Sequence, residues 1–299
     1  MIIAFFCKHV FASSIIVVQG NSSPFGQKYF AGFSSSAISE RVSAFRYDGK
    51  KDKVLLSQVQ KMAPDLILTI GEVPIGSLTA LLPSTPFIVG DYYSTVVAKK
   101  ANVVMMESAL PVGVGVNLIH QLLPSRTTIG TIFNPKYSQT AVDSLVSASS
   151  NIPGLKVASI KIDSPKDLTS YLPAFSGKVD IFYFIRDITM SNETVVKEIY
   201  KFVEQNNIPV ISQDPTHIEE GALLTISVDP IELGEQAWNV AKVILKEGKI
   251  PQMPVEIAPS ELSVSLSLKA ATRFGVEAET LSQFLQKTVK DNYSVRIEP

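Results

Sequence analysis

Cysteine is nearly absent from this chain. Cys7 is the only one in 299 residues, so neither a disulfide framework nor a cysteine-based zinc site can organise the fold. Histidine is almost as scarce: His9, His120 and His217 stand far apart in sequence, without the spacing of a metal site. An excess of one charge is also missing, with 27 Lys and Arg against 28 Asp and Glu. No basic run exists, which excludes an electrostatic footprint for nucleic acid. No stretch reaches the ~18 uninterrupted apolar residues of a membrane-spanning helix. Cofactor signatures are absent too, since there is no G-x-x-x-x-G-K-[ST] loop and no G-x-G-x-x-G at a strand–helix junction. Gly113-Val114-Gly115 lacks the third glycine and reads as a helix-packing site. No G-x-S-x-G elbow occurs, and Ser34-Ser35-Ser36 falls near a helix end, where it reads as solvated. These absences predict a protein with no cofactor, no metal and no activated nucleophile.

What is present is a set of apolar runs that end in a carboxylate. Leu66–Gly71 runs into Glu72, Phe87–Gly90 into Asp91, Ile181–Arg186 into Asp187, and Val210–Gln213 into Asp214. Each reads as a short buried strand, rich in Ile, Val, Leu and Phe. In an open parallel sheet ligands bind beyond the carboxyl ends of the strands, so the four acids predict one acidic cleft between two similar lobes. The competing reading is that they cap helices, for which Asp is preferred. Asp214 precedes Pro215, a good first-turn residue, and both readings stand there. Glu72, before Val73-Pro74, leans to the structural reading. Asp187 has no evident capping context and is the best ligand candidate of the four.

The order of elements supports this architecture. Strand Ser14–Gln19 leads through the turn Gly20-Asn21-Ser22-Ser23-Pro24 into a helix with Phe25, Tyr29, Phe33 and Ala37 on one face. Strands at Arg41–Tyr47, Asp65–Ile70, Phe87–Val89 and near Asn102–Met106 alternate with helices Lys51–Lys61 and Pro74–Leu82. A second series follows helix Pro111–Leu123. Its strands are Thr127–Phe133, Leu155–Ile160, Val179–Ile185, Pro209–Ser212 and Ala222–Ser227. Its helices are Lys136–Ala148, Pro165–Phe175 and Ser191–Gln205. Such βα alternation calls for parallel sheets covered on both faces. The fold class is therefore α/β, with two doubly wound, Rossmann-like lobes. A further helix from Asp229-Pro230 to Lys246 is stopped by Gly248, and an alternating strand covers Leu262–Leu268. Returning that helix to the first lobe and that strand to the second makes a multi-segment hinge. The expected division is 13–108 with 229–253, 109–228 with 254–275, and a tail helix over 276–299.

The opening segment 1–12 is apolar apart from Lys8 and His9 and ends Val10-Phe11-Ala12. It reads as a signal segment cleaved before Ser13, the alternative being an N-terminal extension. Export would leave a mature chain without cysteine, and so with no thiol to oxidise outside the cytoplasm.

Gln121–Pro135 (QLLPSRTTIGTIFNP), the run VDIFYFIRD and Gly221–Ala237 (GALLTISVDPIELGEQA) resemble the substrate-binding proteins of ABC importers. The likeness is to the branch related to tryptophan- and tyrosine-binding lipoproteins, within the type I periplasmic-binding fold. PDLILTIG, IPVISQD and PVEIAPSELSVSLSLKAATRFG fit the same pattern, so the resemblance covers about Ser14 to Val276. It implies a monomeric periplasmic receptor that closes on a small, amine-bearing ligand and passes it to a membrane permease. It implies that Asp187 meets the ligand's amino group. Glu72 stands where a small hydroxyl residue is common, and Arg186 where a Thr is common. Arg186 either clamps a carboxylate or pairs with a neighbouring acid. Tyr137, Ser138 and Gln139, after Asn134-Pro135, are expected polar groups of the cleft, joined by Ser23 from the first turn. Tyr92 and Tyr93 follow Asp91 as aromatic contacts, whereas Phe25 reads as core. A ligand-sensing domain or an enzyme on the same scaffold remain the alternatives.

Overall fold

The computed structural model describes residues 12–20, 24–50, 52–71, 73–90, 101–106, 112–187, 189–190, 193–251, 256–291 and 293–299. The expected signal segment up to Phe11, together with Ser23, Glu72, Asp91, Tyr92 and Tyr93, lies outside them.

The chain begins with β1 (Ser14–Gln19), α1 (Pro24–Ser36), β2 (Arg41–Arg46), α2 (Asp52–Met62) and β3 (Leu66–Ile70). Next come α3 (Ile75–Leu81), β4 (Phe87–Gly90), β5 (Val103–Met106), α4 (Val112–Leu122) and β6 (Thr128–Phe133). Then follow α5 (Pro135–Ser150), β7 (Lys156–Lys161), α6 (Leu168–Tyr171), β8 (Ile181–Phe184), α7 (Glu193–Gln205) and β9 (Val210–Ser212). The last third holds β10 (Leu224–Ser227), α8 (Pro230–Glu247), β11 (Glu256–Ile257) and β12 (Ser263–Ser267). The chain ends with α9 (Leu268–Arg273), α10 (Ala278–Lys290) and β13 (Ser294–Glu298).

Among the described residues the strands form two sheets. The first has the order β11-β5-β4-β3-β1-β2, and every pairing in it is parallel. The second has the order β13-β12-β10-β9-β8-β6-β7, parallel except where β12 runs against β10. The central strands β3, β4, β5 and β8 are buried along their whole length. A sheet covered on both faces buries every residue of its strands, which explains the unbroken apolar runs. Each sheet reverses its winding once, between β1 and β3 in the first and between β6 and β8 in the second.

The chain divides into two compact units, with α8 and β11 in the first and β6 to β10, β12 and β13 in the second. In the first unit α1 crosses α8 at backbone distance. A Cβ on Gly32 would lie 2.8 Å from the Ile231 carbonyl carbon, and one on Gly234 would lie 2.7 Å from the Phe33 nitrogen. Phe33 and Trp238 meet edge to face beside this crossing, 5.7 Å apart. The second unit's core gathers Ile132, Phe175, Phe182, Phe184, Ile199 and Val210.

Three expectations need correction. The helix read over Pro165–Phe175 is two 3-10 turns flanking α6, because Pro173 has no N–H to donate to the turn before it. The tail 276–299 is not all helix: β13 pairs in parallel with β12, and the polar–apolar alternation of Ser294–Glu298 is its sequence signal. Residues 256–258 belong to the first unit rather than the second, since β11 pairs with β5.

Candidate functional site

In the second unit β6, β8 and β9 lie side by side and end at Phe133, Phe184 and Ser212. Past these ends stand Asn134, then Arg186 and Asp187, then Gln213 and Asp214. This is the switch point of the sheet, where doubly wound folds bind ligands.

Asn134 opens α5. Its side-chain oxygen accepts from the Lys136 amide at 3.0 Å, with Pro135 in the first turn. Its side-chain amide donates to the Asp163 carbonyl at 3.1 Å. Its backbone N–H donates to Asp187 Oδ2 at 2.8 Å.

Asp187 is only 1% exposed. Besides Asn134, the Ser138 hydroxyl donates to its Oδ2 at 2.7 Å and the Thr189 N–H to its Oδ1 at 2.8 Å. Convergent donors are what permits a carboxylate to be buried. The bond to Thr189 is an Asx-type turn within the loop after β8. The bonds to Asn134 and Ser138 tie that loop to the start of α5.

The other predicted residues are placed as follows. Asp214 caps the 3-10 turn Pro215–Ile218, its Oδ1 accepting from the Thr216 amide at 2.9 Å and the Thr216 hydroxyl at 2.6 Å. Gln139, half-buried, donates to Asp143 one helical turn on, at 2.8 Å. Tyr137 is half-buried, with Lys136 Nζ 4.9 Å from its ring centre. Arg186 is half-buried, and its backbone N–H donates to Gln213 Oε1 at 3.2 Å. The structure thus brings Asn134, Ser138, Arg186, Asp187 and Gln213 together, while Asp214 and Gln139 serve their own elements. Gln213 was not expected from the sequence. Its position directly after a central parallel strand is the signal that marks it.

His217 belongs to the core of the second unit. It is 4% exposed and wedged edge-on between Phe184, 4.4 Å away, and Tyr200, 5.5 Å away. Ser212 Oγ lies 2.8 Å from its Nδ1 and accepts from the Asp214 amide at 3.0 Å. Burial pushes the imidazole below its ordinary value, opposed by the charges of Asp214 and Glu220. Tyr183 fills the notch that Gly115 leaves in α4, where a Cβ would come within 3.0 Å of its ring. Burial raises its phenol well above the ordinary value, against a hydrogen bond with Gln213 that lowers it.

Among the described residues no three His, Cys, Asp or Glu side chains gather to hold a metal ion. No described helix is long and apolar enough to cross a membrane.

Two parallel-dominated, doubly wound sheets define the fold of periplasmic binding proteins. The chain is similar in structure to a Streptococcus pneumonia ABC domain solved in complex with L-Trp. That likeness has a TM-score of 0.71 at 19% identity and covers 95% of this chain and 99% of that one. It is similar also to the ligand-free, open form of a Clostridium difficile substrate-binding protein with adhesive properties. There the TM-score is 0.71 at 18% identity, covering 96% and 100% of the two chains. In sequence, 142 residues are 26% identical to a tyrosine-binding protein of Clostridioides difficile (strain R20291), a stretch that spans 46% of this chain and 40% of that relative. Residues 51–288 match the family described as ABC transporter substrate binding protein, and the chain belongs to it.

Proposed function

We propose that this protein is an exported receptor that captures an amino-acid-like solute and delivers it unchanged to the permease of an ABC importer. Membership of the substrate-binding family supports capture and delivery. Relatives that hold L-Trp, or are called tyrosine-binding, support an amino acid.

The observation that carries the reading is Asp187, a carboxylate fixed by three hydrogen bonds at the switch point of the second sheet. A negative charge held there favours an ammonium group on the ligand. Arg186 beside it meets the ligand's carboxylate through its two-pronged guanidinium, and Tyr137 offers an aromatic face. Ser138 acts through Asp187, which it orients. Gln139 and Asp214 shape the rim, since their side chains are engaged locally. Ser23, Glu72, Asp91 and Tyr92 of the first unit are proposed as further contacts.

The test is mass spectrometry of small molecules released from purified protein, followed by a thermal-shift screen of amino acids and their amines. Ligand at a hundred times its Kd stabilises by about 2.7 kcal/mol, enough for a clear rise in melting temperature. One amino-acid-like compound recovered intact at one per chain is the expected result. Conversion of that compound, or no response across the screen, would overturn the reading.

A further inference from the structure

Residues 185–187 leave β8 as irregular chain, yet they are held on both sides. Toward β6, Asp187 Oδ2 takes the Asn134 N–H at 2.8 Å. Toward β9, the Gln213 side chain takes the Arg186 N–H at 3.2 Å. The backbone ladder between β8 and β9 closes with Phe184 opposite Ser212, followed by a 3.3 Å bond from the Gln213 N–H to the Phe184 carbonyl. One step later the main chain of β9 turns away into the 3-10 turn capped by Asp214. The side-chain amide of Gln213 then stands where a backbone carbonyl of a longer β9 would be. A carboxamide carries the same acceptor as a peptide group, so it adds one rung to the ladder. The same side chain bonds the Tyr183 hydroxyl, which is itself lodged against Gly115 of α4.

We propose that Gln213 is a positioning residue for ligand capture. It fixes the backbone of Arg186, and with it the direction from which the guanidinium approaches the ligand's carboxylate. This rests on Arg186 being the carboxylate contact, as in the function proposed above. A bidentate guanidinium–carboxylate pair demands alignment of two planar groups, so freeing the Arg186 backbone costs affinity only for ligands that carry the carboxylate. Gln213→Ala removes the acceptor, whereas Gln213→Glu keeps one.

Two measurements test this on the full chain. The first is amide hydrogen exchange at Arg186 in ligand-free protein. Gln213→Ala should speed it at least about tenfold, with Phe182 unchanged, and Gln213→Glu should leave it slow. Unchanged exchange in Gln213→Ala would overturn the positioning role whatever the ligand is. The second is the ratio of affinities for L-tyrosine and L-tyrosinamide, and for L-tryptophan and L-tryptophanamide. The wild type should favour the acid of a pair, and Gln213→Ala should lose about tenfold of that preference. A preserved ratio in Gln213→Ala would overturn the ligand half of the proposal. Wild-type protein that binds the acid and the amide equally would overturn the carboxylate role of Arg186. Wild-type protein that binds neither would overturn the amino-acid reading itself, and the exchange data would still decide whether Gln213 holds Arg186.

Discussion

Replacing Asp187 by Asn keeps the shape of the side chain and removes one of its two acceptor oxygens. At least three donors converge on the native carboxylate: the Asn134 N–H, the Ser138 hydroxyl and the Thr189 N–H. If the Asn oxygen faces Asn134 and Ser138, its NH2 meets the Thr189 N–H, donor against donor. If it faces Thr189, the NH2 meets two donors, of which only the hydroxyl can rotate away. Either way at least one charge-assisted bond is lost, worth roughly 1.5–3 kcal/mol, and a buried donor is left unsatisfied at about 1–3 kcal/mol. These losses overlap, so a total of roughly 2–4 kcal/mol is expected for the ligand-free protein. For a unit of this size that lowers the melting temperature by roughly 4–16 °C. The same substitution removes the charge proposed above to face the ligand's ammonium, and on that proposal it should weaken binding by about one to two decades. Calorimetry on one variant gives both numbers. Apo melting within a degree or two of wild type would refute the bonding scheme, and unchanged affinity would refute the role in binding.

The helix crossing of the first unit gives a second prediction. Gly234→Ala puts a methyl against the backbone of α1, so the helices must separate at a cost of roughly 1–3 kcal/mol, read as a lower urea midpoint with an unchanged slope. A third concerns His217, whose pKa in the folded protein lies below its unfolded value because it is buried. The unfolded chain therefore binds more protons once the pH drops below about 6.5, and stability contributed by the neutral ring is lost as the pH falls further. His217→Gln should flatten that acid-side slope in melting temperature, and a slope identical to wild type would count against the assignment.

How much of this was legible in the sequence depends on the range of the interactions. The βα alternation was readable because strands buried on both faces give continuous runs such as Leu66–Ile70 and Ile181–Phe184. The cap at Asp214 was readable as one of two options, since its partner Thr216 lies two residues on and Pro215 marks the turn. The bonds of Asp187 were not. Asn134 and Ser138 are 53 and 49 residues away in sequence, and no local pattern announces a contact that the crossover of β7 and α6 creates. Gln213 escaped notice for the same reason, as its bond to Arg186 spans 27 residues. β13 was missed because five residues with two apolar side chains, following an amphipathic helix, look like a frayed tail.

Both strand-end acids of the second unit are hydrogen-bonded, and the difference between them bears on function. Asp214 spends its Oδ1 within its own turn, and a short polar side chain at that position would cap the turn nearly as well. Asp187 joins three separate segments, and its bonds described above come from a peptide N–H at the end of β6, a hydroxyl on α5 and a peptide N–H of its own loop. Those donors are neutral groups. They offset the cost of removing a carboxylate from water. In the function proposed above, an ammonium arriving there gains attraction in a medium less polar than water. A receptor that must stay folded both empty and filled is served by a site of this kind. Swapping Ser138 for Ala separates the two contributions, because it removes one neutral donor and leaves the charge. The expected result is a loss of about 1 kcal/mol in apo stability with a smaller loss of affinity than Asp187→Asn shows.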